Sequence, residues 1–272
     1  MSRPRLNDQE ANLIQAHRDR NNNQRALIIP DCHIPFEDQK AYSLMLKVGQ
    51  HVQPEEIVIL GDYADFYDVS SHGKDPHIAS KLLDEVEAVR GRLEELRGLF
   101  PASEIIYIEG NHEYRLGRYI RDKAPELFGI VGVANILGLD SLGIKFIPYG
   151  PCQKHRVLGA SIIARHEPLA GGVHVAHNTA SKALHSVIFG HTHRIQESQI
   201  VSFNGENHRG ISSGWLGDCR LPAFNYVKAH HQWALGFSVL TLVEKTWFNQ
   251  LVHIIDYKCQ CDGIIFGEDG GG

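Results

Sequence analysis

The sequence predicts an α/β protein whose first half alternates strand and helix and whose second half is richer in strands. Three observations carry this. Short apolar runs rich in β-formers recur along the chain. Between two of them, residues 81–100 space their apolar side chains at three and four. After Gly190 the strand-like runs follow one another with little helix between them. Regular alternation of strand and helix is the mark of layered α/β architecture.

Taken in order, residues 1–24 are polar, end in Asn21-Asn22-Asn23 and read as an N-terminal arm. The runs ALIIP (26–30), EIVIL (56–60), EIIYI (104–108), SIIA (161–164) and SVIF (186–189) then read as strands. In KLLDEVEAVRGRLEELRGLF, Leu82, Val86, Val89, Leu93, Leu96 and Phe100 form one apolar stripe, as on a helix packed against a sheet. A second helix is expected from just after Asn111 to about Lys123, with Pro125 beyond it. Runs near 196–203, 208–213, 234–243 and 247–256 suggest a second, more antiparallel sheet. The tail GEDGGG (267–272) is expected to be disordered, leaving one domain over 25–266.

Composition narrows the class. With 272 residues and 43% apolar content the chain can bury a sizeable core. A net charge of −5 argues against a protein that coats duplex nucleic acid, though not against a local basic groove. The five cysteines are odd in number and show no zinc-ribbon spacing, which fits a reduced, intracellular protein. The N-terminal MSRPRLNDQE has no apolar core of a signal peptide, and no apolar run reaches the ~18 residues of a membrane span, so a cytoplasmic protein is expected.

The chemistry lies where the strands stop. ALIIP runs into Asp31-Cys32-His33, and EIVIL into Gly61-Asp62 with Asp65 beyond. EIIYI runs into Gly110-Asn111-His112-Glu113. SIIA is followed by Arg165-His166, and SVIF by Gly190-His191-Thr192-His193. Each piece alone reads equally well as a polar turn. Together they deliver Asp, Asn and His to the C-terminal ends of strands, the edge at which α/β sheets gather ligands and catalytic groups.

In this order the motifs resemble those of the calcineurin-like metallophosphoesterases, over about residues 26–194. The resemblance implies a four-layer αββα sandwich of two mixed β-sheets flanked by helices. It implies two divalent transition-metal ions, manganese first, with iron, zinc or nickel as alternatives. Asp31, His33 and His193 would hold one ion; Asn111, His166 and His191 would hold the other; Asp62 would bridge them. His112 would be the catalytic histidine, assisting the leaving group as a hydroxide shared by the ions attacks phosphorus. Mixed imidazole and carboxylate donors favour such metals over magnesium or calcium, and a pair of ions suits in-line displacement at phosphorus.

Some positions stay open. Asp65 is expected to orient His112, or else to be a turn or cap residue. The fourth motif departs from the family's His-Gly: His166 is followed by Glu167 and Pro168, and His174 or His177 could take its place. Arg115 and Arg194 are candidate phosphate contacts. Arg115, Arg118 and Arg121 recur every three residues and either steer a polyanion or form a solvated basic face. The loop SSHGKDPH (70–77) either covers the site or is an exposed connection. The arginines that protein phosphatases of this superfamily carry are replaced by Phe66 and Glu109. A phosphodiesterase acting on a nucleotide or nucleic-acid end is therefore favoured. A phosphomonoesterase, a DNA exonuclease or a metal-free scaffold are the alternatives.

Overall fold

The computed structural model describes residues 23–70, 81–224 and 232–267. Nearly all of the expected arm and tail, and of the 70–77 loop, lie outside the described residues. Asn23 already belongs to the first strand and Gly267 to the last.

In chain order the strands are β1 (Asn23–Ile29), β2 (Glu56–Ile59), β3 (Glu104–Ile108), β4 (Ile144–Ile147), β5 (His155–Arg156), β6 (Ile162–Arg165) and β7 (Ser186–Phe189). They continue with β8 (Ile195–Val201), β9 (Asn207–Ser213), β10 (Gly236–Val243), β11 (Thr246–His253), β12 (Lys258–Cys261) and β13 (Ile264–Gly267). The helices are α1 (Gln39–Val52), α2 (Leu82–Leu99), α3 (Tyr114–Lys123), α4 (Val133–Leu137) and α5 (Val175–Ala183).

Two mixed sheets face each other. The first has the order β11-β10-β1-β2-β3-β4, and the second β5-β6-β7-β9-β8. Strands β1 to β4 run parallel, as do β6, β7 and β9. Side-chain alternation along each strand builds the layers. Ala26 and Ile28 of β1 point into a core shared with Ile162, Ala164, Ile188 and Ile211 of the second sheet. Leu27 and Ile29, one residue out of phase, point the other way into a core with Leu44, Met45, Leu93 and Leu96 of the helices. Burial on both faces explains why the run reads as unbroken hydrophobicity. On the far side α5 packs Val175 against Val187 and Phe189. Helix, sheet, sheet and helix are thus stacked in four layers.

The strands after Gly190 do not form a sheet of their own, contrary to the sequence expectation. β8 and β9 extend the second sheet, whereas β10 and β11 return to the first and pair antiparallel beside β1. Alternation within a strand records which faces are buried and not which neighbour supplies the hydrogen bonds. Helix α1 was not named from sequence. Its N-terminus is set by Asp38, whose carboxylate accepts the Lys40 and Ala41 N–H groups at 3.1 Å each. It stops at Gln53, in the left-handed region at φ 50°, ahead of Pro54. Among the described residues no helix is long and apolar enough to cross a membrane.

The stripe on α2 gives a direct test of the layering. Leu93 is fully buried and Leu83 is 64% exposed. Leu93→Ala is expected to lower unfolding stability by about 2–5 kcal/mol in a denaturant titration, and Leu83→Ala by less than about 0.5 kcal/mol.

Candidate metal centre

The strand ends of both sheets meet at one edge, and the polar residues that follow β1, β2, β3, β6 and β7 converge there. Three overlapping groups could hold a metal ion: Asp31, His33 and His193; His33, Asp62 and His112; and Asp62, His166 and His191. Within each group the ligand atoms lie within 4.8 Å of one another. Asn111 joins the third group, its Oδ1 lying 2.9 Å from His166 Nε2 and 2.7 Å from His191 Nδ1. Asp62 belongs to both halves, with Oδ1 at 3.4 Å from His166 Nε2 and Oδ2 at 3.8 Å from His112 Nε2.

The loops that present these groups are sharply bent. His33, Asp62, His191 and His193 all have φ between 48° and 62°, a left-handed backbone unusual for residues with a Cβ. Close approach adds a further demand. A Cβ on Gly110 would sit 2.2 Å from the Asp62 backbone nitrogen, and one on Gly190 would sit 2.4 Å from Asp31 Oδ2. The Gly190 turn lets the His191 N–H donate to both oxygens of Asp31, at 2.8 and 3.0 Å.

The arrangement fits cations. His33 donates from Nδ1 to Asp65 Oδ2 at 2.8 Å, and His166 donates from Nδ1 to the Leu60 carbonyl at 2.8 Å. In a neutral imidazole each then turns a bare Nε2 lone pair into the site. His33 Nε2 faces His193 Nε2 at 3.1 Å, and His193 Nε2 lies 3.6 Å from Asp31 Oδ1. His166 Nε2 faces the Asn111 oxygen, acceptor against acceptor. Lone pairs converging at such separations suit ions held by imidazole at about 2.0–2.1 Å. The carboxylates set a negative field around His166, in which a proton holds the place that a bound cation would take. Burial would lower the His166 pKa, but Asp62 and Asp31 push it up to about 10. Burial would raise the Asp62 pKa, but His112 and His166 hold it well below the usual carboxylate range.

Asp65 stands between two imidazoles. Besides His33 it lies 3.1 Å from His112 Nδ1 through Oδ2. Arg115 is not on a solvated face. It is buried, and its Nη1 donates to the Asp65 carbonyl at 3.1 Å and to Asp65 Oδ1 at 3.3 Å. Its Nη2 lies 2.8 Å from His112 Nε2. Arg118 and Arg121, by contrast, are exposed. Arg194 donates to the Gly172 carbonyl at 3.0 Å. His166 is fully buried in the cluster, whereas His174 precedes α5 and His177 faces Ser198 Oγ at 3.3 Å. Those two histidines line a separate cavity with Gln196 and Glu197.

Two groups important to the site were given no role from sequence, although Glu113 belongs to the motif read after β3. Glu113 is completely buried. Its Oε2 accepts the N–H groups of Asp62 and Gly110 at 2.9 Å each. Its Oε1 accepts from Tyr63 N–H at 2.8 Å, Ala64 N–H at 3.0 Å and Tyr107 OH at 2.7 Å. Burial raises this carboxyl from its ordinary value, and the hydrogen bonds oppose the shift. The signal available was the acid that ends the strand-end motif, directly before the first residue of α3. Trp215 is the other: its ring stacks on His193 with centroids 4.8 Å apart, and nothing local in sequence announces that contact.

Because both Glu113 oxygens face several donors, an amide at this position must set its NH₂ against N–H groups whichever way it turns. Glu113→Gln is expected to cost about 1–3 kcal/mol of unfolding stability. Elemental analysis of the same variant is expected to show reduced metal content.

No family model matches the chain. The Gene 54 proteins of Mycobacterium phages L5 and D29 are 28% and 27% identical to it over 258 residues, spanning 89% of this chain and 98% of each relative. Among solved structures, a single mutant of Vps29 from Entamoeba histolytica aligns with 90% of this chain and all of its own at 11% identity, TM-score 0.45. Vacuolar protein sorting 29 from Cryptosporidium parvum aligns with 90% of this chain and 99% of its own at 12% identity, TM-score 0.43. YfcE, a phosphoesterase from E. coli, aligns with 84% of this chain and 99% of its own at 16% identity, TM-score 0.37. The layering of its two sheets and the convergence of its ligand-type side chains at one edge are in keeping with the resemblance of its motif order to the calcineurin-like metallophosphoesterases.

Proposed function

We propose that the chain is a phosphoesterase that uses two divalent ions, manganese first, to hydrolyse phosphodiester bonds of a nucleotide or nucleic-acid-type substrate. The reading is carried by one convergence: Asp31, His33 and His193 on one side, Asn111, His166 and His191 on the other, and Asp62 within reach of both. When bound, the ions would supply positive charge for the phosphoryl oxygens and acidify water at the site.

The protein's own groups handle the leaving group. Asp65 holds His112 by Nδ1, so Nε2 is the nitrogen turned toward the reaction and the source of the proton for the departing alkoxide. Burial alone would lower the His112 pKa; Asp62 and Asp65 raise it, favouring the imidazolium that this role needs. Arg115 sets a second cation at 2.8 Å from that nitrogen. At that separation the guanidinium donates to the Nε2 lone pair; a phosphoryl oxygen arriving beside both groups would take over that N–H, and Arg115 is assigned to the phosphate. Arg194, next to His193 and anchored at Gly172, is assigned to its outer edge. Where protein phosphatases carry arginines, Phe66 is buried and Glu109 accepts the Tyr149 N–H at 2.7 Å. Neither position offers a cation, which supports a diester over a phosphoprotein. The five cysteines are all unpaired, consistent with a cytoplasmic setting.

With bis(p-nitrophenyl) phosphate and Mn²⁺, His112→Ala is expected to lower kcat by about 10²–10⁴ while metal content stays near the wild-type level. Asp62→Asn is expected to lower both. Turnover that persists in an Asp62→Asn protein shown by elemental analysis to have lost its metal would rule the two-ion reading out.

A further inference from the structure

A line of aromatic rings and guanidinium groups leads away from the metal centre along α3. It starts at Tyr114, two residues after His112, whose ring stacks on Tyr149 with centroids 4.9 Å apart and planes 28° from parallel. Both rings are tied to the site's edge. The Tyr149 N–H is held by Glu109, next to Gly110, and its hydroxyl donates to Glu167 at 2.6 Å, next to His166. Arg118 and Arg121 come next along the helix, with guanidinium carbons 6.0 and 5.9 Å from the Tyr114 ring centroid. Arg121 also donates to the Tyr114 hydroxyl at 3.1 Å and lies 5.2 Å from the ring of Phe128, which is 55% exposed. Asp122 and Glu126 are exposed on the same segment, as is Lys123, and Glu167 accepts from the Tyr149 hydroxyl.

Rings alternating with cations are what a single nucleic-acid strand requires. Bases stack on aromatic faces, and phosphates between them need fixed positive charge. A duplex, with its bases already stacked on each other, could use the arginines but not the rings. We infer that this track binds single-stranded nucleic acid and leads its phosphodiester backbone to the metal centre, making a strand the substrate class of the site. The inference rests on the phosphoesterase reading for what happens at the centre, but binding along the track needs no turnover.

The test is therefore a binding measurement on metal-free protein, using fluorescence anisotropy of a labelled single-stranded oligonucleotide and of its duplex at several salt concentrations. The single strand is expected to bind more tightly than the duplex. Phe128→Ala should weaken single-strand binding by about tenfold. Arg118→Glu with Arg121→Glu should weaken it further and make the slope of log K against log salt shallower by about 0.7 for each phosphate that is no longer neutralised. Lys258→Glu, on the β12–β13 hairpin, makes the same charge change per site away from the track and should leave affinity unaltered. Absence of single-strand binding at low salt would overturn the proposal. So would equal affinity for the duplex, or Lys258→Glu weakening binding as much as the track variants do. Loss of nitrophenyl-ester hydrolysis with oligonucleotide binding intact would instead count against the reaction and leave the track standing.

Discussion

Glu113 is the group on which the site's geometry depends. Its carboxylate is buried at the start of α3 and accepts from the backbone on both sides of the crevice between β2 and β3. The Asp62 loop and the Gly110 loop are separate in sequence, and each ends in N–H groups that a helix or sheet ladder would otherwise have satisfied. One anion satisfies both sets. It thereby fixes the distance between Asp62, which belongs to both halves of the centre, and Asn111, which belongs to one. Tyr107, from inside β3, closes the arrangement through its hydroxyl. The register of a strand is in this way passed directly to the position of the Asp62 side chain.

The same constraint accounts for the strained backbone around it. Holding a non-glycine residue in the left-handed region costs roughly 1–2 kcal/mol. His33, Asp62, His191 and His193 all bear it. Glycine would adopt these angles freely but would bring no donor atom. Glycine appears instead beside them, at Gly110 and Gly190, where backbone must lie against Asp62 or Asp31 with no room for a side chain. A donor-bearing side chain where one is presented and glycine where one would clash is the pattern that a compact cluster built from tight turns imposes.

Electrostatics set a second demand. Asp31, Asp62, Asp65 and Glu113 are buried within one edge of the fold, where unpaired carboxylates are costly. Each is met by imidazole, guanidinium or N–H groups, and the imidazoles that face one another across the cleft leave room for cations to complete the balance. Trp215 closes the His193 side with an apolar surface.

Much of this was legible in the chain itself. Burial on both faces leaves an unbroken apolar run, so ALIIP, EIVIL and SVIF announced their strands, and the three-and-four spacing of Leu82 to Leu96 announced α2. The polar residues after each run announced themselves because they interrupt hydrophobicity abruptly. What the sequence left open was decided by packing. The histidine after β6 lies in the cluster because two sheets stacked face to face bring the end of that strand beside Asn111, whereas His174 and His177 lie at α5 on the outer layer. β10 joined the first sheet by pairing antiparallel with β1, and β11 by pairing with β10. Arg115 turned inward while Arg118 and Arg121 stayed out because the first turn of α3 is pressed against the Asp65 loop. Periodicity is a property of neighbours along the chain and can be read there; convergence of groups far apart in sequence is a property of how the layers stack, and no local pattern encodes it.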